Sequence, residues 1–81
     1  MRLDKFLKVS RLMKRRTVAN EACDVGRVFV NGRQAKPACD VKPGDVLELH
    51  FGARTLRVEV LAVAEAVRKD DASALYRELP D

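Results

Sequence analysis

Between Val46 and Leu61 two runs of alternating apolar and polar residues flank Gly52-Ala53. Period-two alternation on both sides of a short turn makes a hairpin, and a slip of one residue would turn every apolar side chain outward. With Gly52-Ala53 as the loop, Phe51 faces Arg54, Leu49 faces Leu56 and Leu47 faces Val58 on the core side. Glu48 opposite Arg57 is then an expected exposed ion pair, worth at most about 1 kcal/mol. Val28 to Val30 is a shorter strand of high β-propensity, followed by Asn31-Gly32, the commonest two-residue hairpin turn, and a return over Arg33 to Lys36. Pro37 ends that ladder, and Lys42-Pro43-Gly44-Asp45 reads as a turn leading into the long hairpin.

The N-terminal third has a helical period instead. Leu3, Phe6 and Leu7 recur at i, i+3 and i+4, which places them on one stripe facing a core and predicts a helix over about Arg2 to Val9. Asp4 suits its first turn. Ser10 to Arg16 is expected as a packed turn with Leu12 and Met13 plugging the core. Thr17 is the candidate N-cap of a second helix, and Gly26, free to adopt a left-handed conformation, is its stop. Val18, Ala19, Ala22, Cys23 and Val25 share one broad face of that helix, opposite Asn20, Glu21 and Asp24. Beyond Ala62 the periodicity fades. Asp70-Asp71 marks the start of a last short helix through Ala74, Leu75 and Arg77, with Tyr76 packing back on the domain. Without an internal repeat, linker or low-complexity segment, the expectation is one domain over residues 1–81.

Charge is distributed unevenly over this plan. Up to Lys36 there are ten basic residues against three acidic ones, a balance of +7, while residues 37–81 carry −3. A one-sided positive field favours a polyanion, whether nucleic acid or an acidic membrane surface. The apolar stripe of the first helix is too short for the membrane alternative, and the longest apolar run, Val60 to Ala64, is far short of a span. Lys14, Arg15 and Arg16 gather where the second helix begins, so their charge adds to the free amides and dipole that attract a phosphate.

Other chemistries lack their residues. Cys23 and Cys39 stand sixteen positions apart with His50 as the sole histidine, which makes no standard zinc site. Nothing resembles a secretory signal, so two reduced thiols in a cytoplasmic protein are expected. No phosphate-binding glycine loop occurs, and Asp40 and Asp45 flank a turn with no base or nucleophile assembled around them, which argues against an enzyme and against a cofactor or metal.

The runs RLDKFLK and KRRTVANEACDVGRVFVNG, followed by KP and VKPGD, resemble the S-four RNA-binding domain over about residues 1–51. That resemblance implies an α+β fold of S-four (αL) type, with two short N-terminal helices packed on a small, mostly antiparallel sheet, a short C-terminal helix and RNA backbone lying across the helix face. More narrowly, the MRLDKFLKVSRLMKRRT opening and the short C-terminal part resemble the stand-alone bacterial members that act in ribosome-associated quality control. The implied partners are large-subunit rRNA at an intersubunit stem-loop, peptidyl-tRNA, and an RqcH-type factor that adds C-terminal alanine tails. A monomer is expected. The sister branch, heat-shock-protein-fifteen-like recycling factors, has a longer basic tail. Here Asp70, Asp71, Glu78 and Asp81 make the tail acidic.

Carried over by position, Arg2 and Arg16 are implied to grip rRNA phosphates, with Lys5, Lys14 and Arg15 nearby, Asp4 orienting the arginines, and Thr17 and Asn20 lining the same face. Arg11 and Lys36 complete the expected RNA-binding set. Arg15 departs from the family, which often has Ser or Thr there. Asn31-Gly32 is expected to serve the hairpin rather than to read a base.

Overall fold

The computed structural model describes residues 1–80; Asp81, the last acidic residue of the tail, lies outside the described residues. Helices α1 (Leu3–Val9) and α2 (Arg16–Asp24) precede strands β1 (Val28–Val30), β2 (Arg33–Gln34), β3 (Val46–Phe51) and β4 (Arg54–Val60). A 3-10 helix, Lys69–Leu75, leads into β5 (Tyr76–Leu79). The strands form one antiparallel sheet in the order β2-β1-β3-β4-β5. No described helix is long and apolar enough to cross a membrane.

The long hairpin has the register its alternation demands, with Phe51 opposite Arg54, Leu49 opposite Leu56 and Leu47 opposite Val58. Leu47, Leu49 and Val58 are fully buried in one cluster with Leu3, Phe6 and Leu7 of α1 and with Ala19 of α2. Glu48 does sit opposite Arg57, but its carboxylate turns along the strand to His50 Nε2, 3.4 Å away, so the expected ion pair is not made. Neighbours two apart on one strand face compete with the cross-strand partner.

Asn31 and Gly32 both have positive φ, 52° and 82°, as a two-residue primed turn requires. The Asn31 side chain also donates to Asp45 Oδ1 (3.1 Å) and accepts from the Val46 amide (2.9 Å), tying the short hairpin to the start of β3. Asn31 is a structural residue.

Three expectations need correction. Thr17 is not the N-cap of α2: the helix begins at Arg16 with Arg15 in the cap position, and no side chain caps it. Val18 and Val25 are exposed, because α2 meets the core along a narrow line and only Ala19 and Cys23, four apart, reach full burial. The tail is not helical through Arg77. A 3-10 helix stops at Leu75, and Tyr76 to Leu79 pair with β4 as a fifth strand, Tyr76 opposite Val60 and Arg77 opposite Glu59. The open edge of β4 offers backbone hydrogen bonds that a marginal helical preference cannot match. Gly26 does stop α2: at φ +79° its amide reaches Cys23 O while the Arg27 amide reaches Ala22 O, the paired bonds of a Schellman end. Cys23 is buried, Cys39 half-buried, and both are free thiols.

Candidate nucleic-acid interface

The two helix starts differ. Leu3 and Asp4 donate their amides to Cys39 O (2.8 Å) and Pro37 O (3.1 Å), and the Lys5 amide donates to Asp4 Oδ1 (2.8 Å). The first turn of α1 is therefore closed by the 37–41 segment and by its own aspartate. The start of α2 has no side-chain cap and lies among Arg15, Arg16 and Thr17, all exposed.

Asp4 links the two. It is 1% exposed, and its carboxylate accepts from Arg2 Nε and Nη2 (3.1 and 3.2 Å), from Arg16 Nη2 (3.4 Å) and from Asn20 Nδ2 (3.2 Å). Arg16 Nε also stands 3.4 Å from Asp4 Oδ2. Burial alone would push this carboxyl up; the bonds from Arg2 and Arg16, the Arg16 charge and the Lys5 amide outweigh it and hold Asp4 below its ordinary value of 3.8. Asp4 stays ionised at neutral pH and pins two guanidiniums whose side chains are 50% and 46% exposed. Each guanidinium has five N–H donors, so both keep donors for a second acceptor. Arg2, Asp4, Arg16, Thr17 and Asn20 line one open depression of about 360 Å³. Its two cations against one anion leave it positive, and planar guanidiniums suit phosphate oxygens.

The remaining expected residues lie elsewhere. Lys5 is drawn aside into an ion pair with Glu65. Lys14 and Arg11 line a second concavity together with Lys8, beside Met13 and Val67. None of these three cations is in a described ion pair. Arg11 adopts a left-handed φ of 62°, a conformation costing a non-glycine residue about 1 kcal/mol, where the chain turns to seat Met13 in the core. Lys8 escaped the expected set although its spacing to Arg11 and Lys14, three residues each, was the available signal. Arg15 is exposed at the α2 cap, and Lys36 lines a separate shallow surface with Arg33 and Gln34.

The S4 domain model matches residues 1–47, more than half of the chain and the part that builds both helices and this depression. The chain belongs to the S4 domain family. The RQC P-site tRNA stabilizing factor of Halalkalibacterium halodurans is 58% identical over 76 residues, 94% of this chain and 86% of the relative. The protein of that name in Bacillus subtilis is 51% identical over 81 residues, 100% of this chain and 94% of the relative. The trimeric structure of Vibrio cholerae heat shock protein 15 superimposes with a TM-score of 0.91 at 32% identity, covering 98% of this chain and 81% of that one. The expected fold class thus holds in this S4 domain, with the fifth strand as its unforeseen edge.

Proposed function

We propose that this S4 domain is a non-enzymatic RNA-binding factor of bacterial ribosome-associated quality control, acting in the cytoplasm. It grips large-subunit rRNA and peptidyl-tRNA on obstructed large subunits through phosphate and shape, and so supports alanine tailing by an RqcH-type factor. The observation that carries this is the pair of half-exposed guanidiniums, Arg2 and Arg16, gathered by buried Asp4 beside the uncapped start of α2. Thr17 and Asn20 add neutral polar groups on the same depression, and Lys14, Arg15 and Arg11 extend the positive field. The name that the close relatives bear, for stabilising a P-site tRNA, supports the tRNA half of this function.

A recycling role like that of heat shock protein 15 is the second reading, supported by the shared fold. The acidic balance of residues 37–81 speaks against it.

Pull-down of the tagged protein from bacterial cells tests the proposal: it is expected to bring free large subunits carrying peptidyl-tRNA. Recovery of whole ribosomes would point to a general ribosomal role. Binding should also weaken with salt, with a log–log slope of roughly −3.5 to −4.5 if about five phosphates are neutralised. A salt-insensitive complex would overturn phosphate recognition.

A further inference from the structure

Three of the five large apolar side chains most exposed on the described surface, Val18, Val25 and Phe51, at 46%, 66% and 41%, line one groove. Met13 and Ala22 form its floor between α2 and the end of β3, and Arg27 stands at its side. An exposed Phe at the tip of a β-hairpin has no role in the core, and contiguous apolar surface of this kind on a charged protein marks a contact site.

The groove is an open space of about 280 Å³. That is close to the roughly 300 Å³ at which small-molecule pockets begin, a size matched to one planar ring. The surroundings also select the occupant. The lining itself holds one cation, Arg27, and one anion, Glu21, while the chain's net charge of +4 opposes close approach of a second copy. Met13, a buried residue, lines both this groove and the concavity of Lys8, Arg11 and Lys14, so the apolar slot adjoins cations that hold no described acidic partner.

We infer that this groove receives one unpaired nucleobase of the bound RNA, stacked on the Phe51 ring between Val18 and Val25, while the adjoining phosphates lie on Lys14 and Arg11. The site rests on the RNA-binding function proposed above and adds base stacking to it. Every base has a π face, so the slot accepts an extruded base with little regard to sequence. Glu21, the groove's acidic member, is an acceptor for an exocyclic amino group. Arg27 supplies a guanidinium that stacks or reaches the flanking phosphate.

Two short RNAs with equal numbers of phosphates provide the probes: a perfect duplex, and the same duplex with a bulged 2-aminopurine. The wild-type protein is expected to prefer the bulged RNA by about 5- to 150-fold, the range that one stacked base supplies, and to change the 2-aminopurine emission on binding. Phe51→Ala and Val25→Asn should each remove most of that preference while leaving duplex affinity, salt slope and thermal melting unchanged; Phe51→Tyr should keep it. Preference that persists in both disruptive variants, or equal binding of the two RNAs by wild type, overturns the site alone. Failure to bind either RNA overturns the RNA-binding function and this site with it. Loss of self-association in the variants with bulge preference intact would make the groove a contact between copies, which also overturns the site.

Discussion

Replacing Asp4 with Asn sets two physical expectations against each other. The substitution keeps the shape but removes the one buried negative charge among Arg2, Arg16 and Asn20. A hydrogen bond to a charged group contributes about 1.5–3 kcal/mol, and the half-exposed arginines regain part of this from water, so the net loss of stability is about 2 kcal/mol. For a domain of this size that lowers Tm on the order of 10 °C. Charge alone predicts better RNA binding: a phosphate roughly 6 Å from the lost carboxylate, in a water-like dielectric, gains about 0.7 kcal/mol, or about threefold. Convergence of the guanidiniums predicts the reverse, because an amide no longer holds both forks in place, and about tenfold weaker binding is expected, or about 1.4 kcal/mol. Circular dichroism melts and fluorescence anisotropy with a labelled RNA stem-loop, well below the variant's Tm, measure the two effects. Threefold tighter binding by Asp4→Asn would refute the assignment of Asp4 as the residue that positions the arginines.

Arg16→Ala should weaken stem-loop binding by about tenfold and flatten the salt slope by about 1, while costing no more than about 1 kcal/mol of stability in urea titration, since Arg2 still pairs Asp4. Gly26→Ala should destabilise by about 1–2 kcal/mol by the same titration, because φ is +79°; the end of the exposed Gln34 side chain, 1.9 Å from the added Cβ, can swing aside. Stability should fall at both pH extremes in thermal melts. Asp4 titrates lower in the folded chain than its ordinary 3.8, so its contribution is present above that pH and is lost as pH falls toward the folded value. Cys23, pushed up from 9.0 to about 11 by burial and by nearby Asp4, Asp24 and Cys39, favours the thiol in the fold, so stability is lost as pH rises through that interval. Cys23→Ala should remove most of the alkaline part.

Short-range periodicity made α1, the β3–β4 hairpin and the Asn31-Gly32 turn legible, because each is set by residues close together in the chain. Charge counting found the basic end, and the family resemblance singled out Arg2, Asp4, Arg16, Thr17 and Asn20, which the structure gathers in one depression. It did not distinguish cations that are engaged from those that are free. Lys5 goes to Glu65, sixty residues away, and no local pattern announces a contact across that separation. Thr17 looked like a cap because hydroxyls cap helices, but the helix starts one residue earlier.

By itself, then, the order of apolar and polar residues determined two amphipathic helices, a register-locked hairpin and a positive N-terminal third, since side-chain direction follows a period of 3.6 or 2 whatever surrounds it. Tertiary structure alone decided that residues 76–79 become the edge strand of the sheet, that Val18, Val25 and Phe51 lie together outside the core, and that Asp4 is buried at the junction of α1 and α2. The cause is common to all three. Strand pairing, burial and ion pairing between distant segments depend on what is left unsatisfied once the nearer elements have packed: the β4 edge still had backbone groups to pair, α2 was wider than the core it covers, and a buried carboxylate required cations from both sides.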